Sequence, residues 1–547
     1  MLTRISDRWL TAALIVLPLL LLARCWNAEF IAYDDADHVQ FALRPQNGFP
    51  QVFQPAAGST YFPITLLSYR LDAQMFWWMV PSVGTWAPGV RLMTALYHGA
   101  AALILWKLLQ ELGVKRGAAY FIALVFAIHP MACETVCWAS ERKNALSALF
   151  GFVALWVQVR YFERCWVLPA SGSLWLLAAM SKPSALGLLP LLVLFVVVDG
   201  RKFFCGRRAE CPLTPSPSPS RGRGEPAGTQ SGRIAPTALH WRALAVALLG
   251  VATWRIITFN MMGHSETLVE PPGGSIFTAI LTDSEIIARY IYNLFVPDKL
   301  SAAYYVAPIF GLGDIRLWGY GALLLGLVIV TVWIAENRRL ALLGWFWFFV
   351  ALGPVLNLVA LAQLMQDRFV YLSTPGLLLV FAEAYAGMAA RIKFSPQLTG
   401  TLASVYVAAL LGGAMWRGGI YTDMFSLFHD AAQKQPQAAY AHECLAVAYT
   451  QQAVVLRRSG RDAEALEASH GTVKEILTFL DCPDAPRYLA YASLALDAGK
   501  YLSEKKNDSA GGLRCFELAM RAPRGPPKVK NEAKERYQVL LAKMGRP

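Results

Sequence analysis

Asp34 and Asp35 stand side by side just past the first apolar run of the chain, in Tyr33-Asp34-Asp35-Ala36-Asp37. Carboxylates beside a bilayer are costly unless they are paired or used. An Asp at such a boundary can act as a general base, taking the proton of an incoming hydroxyl. Two carboxylates can instead hold a divalent cation through their oxygens. The sequence leaves open which of Asp34 and Asp35 is the base, with Asp35 preferred, and Asp37 reads as a solvated neighbour. Asp35 with Glu134 is the pair that would hold Mg or Mn if a metal takes part.

Glu134 lies in the second such segment, His129-Pro130-Met131-Ala132-Cys133-Glu134 through Trp138-Ala139-Ser140-Glu141-Arg142-Lys143-Asn144. Pro130 ends the preceding apolar run. Helical spacing would put Glu134, Trp138 and Glu141/Arg142 on one face, as a short amphipathic helix on the membrane surface with Trp138 in the interface. Lys182 sits at a tight corner, Ser181-Lys182-Pro183, and an enclosed lysine needs an anion. Arg368 in Gln366-Asp367-Arg368 and Arg289 near Tyr290 and Tyr292 are further cations on the same side. Cations near acids suit a phosphate leaving group, because they stabilise the charge that develops as the bond breaks. His98, His129 and Tyr371 read as residues supporting the site rather than reacting.

These residues need a membrane scaffold. The chain has 547 residues, 56% of them hydrophobic and 16% charged, and a mean hydropathy of +0.39. That is too apolar for a soluble protein of this size and fits an all-α polytopic membrane protein. Apolar stretches fall near 9–26, 91–112, 117–130, 144–162, 166–181, 184–199, 240–259, 316–335, 340–358, 371–390 and 398–416, about 11 spans. Arg4/Arg8, Lys115-Arg116, Arg160/Arg164, Arg201-Lys202 with Arg207-Arg208, Arg338-Arg339 and Arg391/Lys393 occupy every second connection. The positive-inside rule puts them in the cytoplasm, with the N-terminus. Segments 27–90, 131–143, 260–315 and 359–370, and everything after Arg417, then lie outside. The net charge of +13 is thus topological, and nucleic acid is not expected as a partner. Nine cysteines without a CxxC pair indicate neither a zinc site nor a disulfide framework.

Three domains follow: a multi-pass unit over 1–416; an insert over 205–237 rich in Pro, Ser, Arg and Gly, which cannot build a core; and a helical unit over 417–547. In the last, Phe428, Ala431, Pro436, Leu445, Ala446 and Tyr449 fit a 34-residue tetratricopeptide register, and a second degenerate unit runs from about Arg487 to Arg524 with Phe516 and Ala519 in matching slots. Stacked helix pairs of this kind make a concave partner-binding face.

The order of these segments resembles a known family. It runs from the Asp-Asp motif through Tyr61-Phe62-Pro63, Leu71-Asp72, His98 and HPMACETVCWASERKNALSALF to Ser181-Lys182-Pro183, RYIYNLFVPDKLSAAYY and QDRFVYLSTPG, and ends in the repeat-like helices. The chain resembles the transmembrane and tetratricopeptide-repeat O-mannosyltransferases and their bacterial relatives, which have the C-type glycosyltransferase (GT-C) fold. The resemblance implies a polyprenyl-phosphate sugar as donor and a protein or glycan hydroxyl, presented by the repeats, as acceptor. It implies reaction on the non-cytoplasmic face, here of a bacterial inner membrane. Asp34 or Asp35 and Glu134 would match the family's acids, and Arg142, Lys182 and Arg368 would contact the donor phosphate. This chain departs from the family at Pro183 and Asp367, where Glu is common at both places. A membrane-anchored tetratricopeptide scaffold for envelope or polysaccharide assembly is the alternative; it explains the C-terminal helices but not the acids.

Overall fold

The computed structural model describes residues 6–31, 34–43, 49–53, 61–75, 87–205, 241–242, 245–246, 248–255, 271–357, 361–488, 490–523 and 525–544. Among them every regular element is a helix. Tyr33, the side chain of Asp37 and nearly all of the 205–237 insert lie outside the described residues, as does much of the 240–259 stretch.

The expected apolar stretches do not all become spans. Five described helices are long and apolar enough to cross a membrane: Ala87–Glu111, Ile315–Ile334, Arg338–Val355, Thr374–Ile392 and Pro396–Thr422. A sixth arises if Arg116–Ile128 and Pro130–Cys137, bent by 48° to each other, count as one. Breaks in the backbone account for part of the difference, while the 144–162 stretch forms an unbroken helix, Arg142–Arg160, that is not among the five. Pro18 turns the first stretch from an α-helix, Asp7–Val16, into a 3-10 segment, Leu17–Leu22. The fifth and sixth stretches form shorter helices, Val167–Ser181 and Pro183–Val197. A helix of that length falls short of the roughly 30 Å hydrocarbon layer at about 1.5 Å per residue. Ile315–Ile334 makes the membrane argument by itself. It is apolar along its length, yet only 6% of it is buried in the protein, with Trp318, Leu325, Ile329 and Trp333 all exposed. A helix apolar all round and largely uncovered by protein is at home in lipid.

The basic connections meet at one end of the bundle. Lys115 pairs with Glu336 at 2.6 Å, Arg116 with Asp7, and Arg160 and Arg201 both with Glu111. Arg339 donates to the Phe203 carbonyl at 2.9 Å and Arg391 to that of Trp333 at 3.1 Å. Helices that begin there run to the opposite end and deliver the connections 130–144, 182 and 353–370.

After Thr422 the helices Met424–Lys434, Ala439–Arg458, Asp462–Asp481, Tyr491–Lys505, Ser509–Arg521 and Pro527–Lys543 pack in consecutive pairs. Phe428, Ala431, Leu445 and Ala446 are buried, as are Phe516 and Ala519. Small residues set the close approaches: a Cβ on Gly499 would meet the Phe516 ring at 2.6 Å. This unit does not stand apart from the bundle. Met424, Leu427, Phe428 and Leu445 share one apolar cluster with Cys133, Val136 and Trp138 of the second connection and with Leu21, Cys25 and Ile31 of the first.

Within the bundle, Gly344 and Gly376 let two spans touch backbone to backbone, since a Cβ on either would come within 2.6 Å of the other's carbonyl oxygen. Gly376→Leu is expected to lower the stability of the detergent-purified protein by about 1–3 kcal/mol. Thermal unfolding checks this against Gly400→Leu, whose Cβ meets nothing within 4 Å and which should leave the midpoint unchanged.

Candidate active site

The second connection folds differently from the expected surface helix. Pro130–Ala132 is a 3-10 turn, Cys133–Cys137 a short helix, and Ala139–Glu141 a second 3-10 turn leading into the Arg142–Arg160 helix. Trp138 is extended, at φ −87° and ψ 117°, so Glu134 and Glu141 do not share a helical face. Trp138 is also 1% exposed and takes no place in the membrane interface. Instead the chain is folded inward, and residues 130–144 are all buried.

This inward fold assembles a charge cluster around Glu141. The Glu141 carboxylate receives Lys143 Nζ at 2.9 Å, Arg368 Nε at 3.4 Å and Lys182 Nζ at 3.6 Å. Asn144 bridges two members, donating to Glu141 Oε2 at 2.8 Å and accepting from Lys182 Nζ at 2.6 Å. Burial pushes the Glu141 carboxyl up, but Arg368, Lys143 and Lys182 outweigh it and hold the group well below its ordinary value. Burial pulls the Lys182 ammonium down to about 8, against the attraction of Glu141. Lys182 therefore finds its anion inside the protein, as its enclosed corner requires.

Glu134 holds Arg368 from the other side. Its Oε1 takes the guanidinium Nη1 at 2.5 Å, and its Oε2 takes the Arg368 backbone N–H at 2.8 Å. The guanidinium also lies 5.3 Å from the Trp138 ring centroid. Asp367 does not pair with its neighbour Arg368. It receives Arg417 Nη2 at 2.8 Å and Tyr304 Oη at 2.6 Å, and Arg417 donates in turn to the Leu300 carbonyl at 2.7 Å. The end of the last span is thus fastened to the segment that carries Arg368.

The two aspartates separate in role. Asp35 is fully buried, and both of its oxygens accept backbone N–H bonds at 2.8 Å, from Ile31 and Ser140. It ties the first connection to the second. Burial raises its carboxyl to about 7, against the pull of those two bonds. Asp34 is the more open of the pair, with 29% of its side chain exposed, and its nearest charge is Lys143 at 4.0 Å.

Other expected site residues lie elsewhere. Arg142 is completely buried, paired with Asp72 at 2.5 Å. It also donates to Thr94 Oγ1, Ser68 Oγ and the Val90 carbonyl at 3.1, 3.2 and 2.8 Å. Its contacts are all inside the protein, and it lies outside the Glu141 cluster. Arg289 pairs with Glu285 and donates to the Tyr305 carbonyl at 2.9 Å, outside the Glu141 cluster. His98 Nδ1 meets Tyr371 Oη at 2.5 Å and its Nε2 the Ala127 carbonyl at 3.1 Å, which joins two helices to the turn that leads into Thr374–Ile392. His129 Nδ1 accepts from Met131 N at 3.1 Å and its Nε2 bonds the Leu294 carbonyl at 2.9 Å. Asp35 and Glu134 bond to different partners, Asp35 to the Ile31 and Ser140 backbone and Glu134 to Arg368, and no group of three potential metal ligands occurs among the described residues. The expected set lacked Glu141 as the centre, Lys143 and Asn144. Their signal was the polar run Ser140-Glu141-Arg142-Lys143-Asn144 opening an otherwise apolar helix.

No protein-family model matches the chain, and no curated protein matches it. Among solved structures it is similar to the Archaeoglobus fulgidus oligosaccharyltransferase tethered to an acceptor peptide containing the NVT sequon. The two share 15% identity at a TM-score of 0.39, over 82% of this chain and 57% of that one. The same organism's oligosaccharyltransferase AglB, in complex with an inhibitory peptide and a dolichol-phosphate, gives 13% and 0.38, over 78% and 56%. This chain spans a little over half the length of those proteins, and a likeness at this level determines neither fold family nor activity.

The raised carboxyl of Asp35 has a consequence for stability. Between pH 3.8 and about 7 the folded protein keeps a proton that the unfolded chain gives up, so stability falls as pH rises through that window. Asp35→Asn should remove this part of the pH dependence. Unfolding midpoints of both proteins in detergent from pH 4 to 7 check it, and equal slopes would contradict it.

Proposed function

We propose that the chain is a membrane glycosyltransferase of GT-C type that moves a sugar from a polyprenyl-phosphate carrier to a hydroxyl of a protein or glycan. One observation carries this reading. Three cations converge on a buried carboxylate beside a partly exposed Asp34, at one end of an apolar bundle. In this mechanism Asp34 replaces Asp35 as the base, because the oxygens of Asp35 already accept two backbone N–H groups. Asp34 takes the proton from the acceptor hydroxyl. The oxygen attacks the anomeric carbon in line, the bond from that carbon to the phosphate oxygen breaks, and the lipid phosphate leaves with the electron pair. A single displacement inverts the anomeric centre.

Lys143, Lys182 and Arg368 stabilise the departing phosphate. They are held ready by Glu141 and Glu134, so little reorganisation is needed when charge develops. Arg142 and Arg289 have no part in this reading, and no step runs through a metal. The basic end of the bundle faces the cytoplasm and the cluster faces outward, in a bacterial inner membrane, by the positive-inside rule. The acceptor enters under the tetratricopeptide-like helices, where Tyr440 and Cys444 of the Ala439–Arg458 helix come within electrostatic reach of Arg368 and Asp34. The apolar cluster shared between those helices and the second connection argues against a detachable scaffold. Removing them would strip a wall from the site, so point variants test the function better than truncation.

Asp34→Asn is expected to lower sugar transfer roughly a hundredfold to ten-thousandfold with an unchanged unfolding midpoint. Asp35→Asn should shift the midpoint. The assay supplies polyprenyl-phosphate sugar to purified protein and follows glycosylated acceptor and released lipid phosphate by mass spectrometry. Undiminished transfer by Asp34→Asn would sink the proposal.

A further inference from the structure

A cavity of about 490 Å³ lies between the first connection and the root of the C-terminal helices, lined by Arg24, Trp26, Asn27, Glu29, Thr422 and Asp423. It is distinct from the Glu141 cluster. Its walls are fixed from behind: the buried Arg91 donates to the carbonyls of Ala28 and Glu29 and, at 2.9 Å, to that of Cys137. Asp423 is fixed too, as the N-cap of Met424–Lys434, accepting from Ser426 N at 2.8 Å. Arg24 reaches in over the Trp416 ring at 4.6 Å and donates to the Trp416 carbonyl at 3.2 Å. Gly419 makes room for it, since a Cβ there would lie 2.7 Å from the guanidinium carbon. That one bond uses a single donor of five. Glu29 is exposed and forms no ion pair among the described residues.

Two features say what occupies this space. Trp26 and Trp416 are 40% and 73% exposed, at the ends of the Leu17–Leu22 run and of the last span. Exposed tryptophans at span ends mark the headgroup layer, so the ligand at hand is a phospholipid. The cavity also presents one cation and two carboxylates, which complements a headgroup bearing both a phosphate and an ammonium. We propose that it binds the headgroup of an amine-bearing phospholipid, phosphatidylethanolamine in class. The Arg24 guanidinium takes the phosphate through charge-assisted bonds, and Glu29, with Asp423 behind it, takes the ammonium. The bound lipid bridges residues 23–29, which lead into Asp34, to the junction at 422–423. This assignment stands whether or not the chain transfers sugar.

The test uses the delipidated full-length protein in neutral detergent. Native mass spectrometry and thermal unfolding follow additions of short-chain phosphatidylethanolamine, phosphatidylcholine, phosphatidylglycerol and free phosphoethanolamine. Phosphatidylethanolamine should bind at least about tenfold more tightly than the other two lipids, as one charge-assisted contact implies. Arg24→Gln should weaken it by a similar factor, and Glu29→Gln should erase the preference over phosphatidylcholine and phosphatidylglycerol. Equal affinity of the wild-type protein for the three lipids would overturn the proposal, as would indifference to both substitutions. Free phosphoethanolamine binding as tightly as the lipid would overturn the assignment to a membrane ligand. Both side chains are exposed, so the variants should unfold like the wild type without lipid, and the wild-type ranking decides the matter without them.

Discussion

Glu141 is the constraint on which the rest of the site depends. A buried carboxylate is expensive, and so are three cations brought into low dielectric; each is tolerable only in the presence of the others. Lys143 comes from the start of one helix, Lys182 from the corner after the next, and Arg368 from a segment far along the chain. Once Glu141 is buried, these three segments must meet around it. Removing any one partner leaves charge uncompensated inside the protein, so the cluster acts as a specification of the fold at this end of the bundle as well as a candidate site.

Several other contacts serve the same end. Glu134 grips both the side chain and the backbone of Arg368. Arg417, at the close of the last span, grips Asp367 beside it. Asp35 closes the first connection onto Ser140, one residue before Glu141. The C-terminal helices press on the same segment through the cluster that joins Phe428 and Leu445 to Val136 and Trp138. Position thus passes from the spans to the connections through buried polar contacts, and from the connections to the C-terminal helices through apolar ones.

The proposed chemistry asks little more of this arrangement than access. A phosphate arriving at the three cations meets charges already oriented, and Asp34 stands at the edge of the same group rather than within its bonds. Asp35, one residue on, has the opposite environment. Adjacent residues on a tightly turning backbone point different ways, which is how two identical side chains come to differ in exposure and in partners.

The sequence by itself determined the all-helical class, the apolar bundle and the gathering of basic connections at one end, because composition and periodicity are local properties summed over long windows. It also marked Asp34, Glu134, Lys182 and Arg368 as residues worth explaining, because charge next to a span is conspicuous wherever it occurs. It did not decide which apolar stretches are long enough to cross, since breaks such as that at Pro18 shorten helices without changing hydropathy. Nor did it separate Arg142 from Lys143, neighbours in the same basic run. Arg142 turns to Asp72, and Lys143 to Glu141 and Asp34. Only the tertiary structure settles such a choice, because it depends on which distant carboxylate reaches each side chain, and partners that far apart in the chain leave no mark in local spacing.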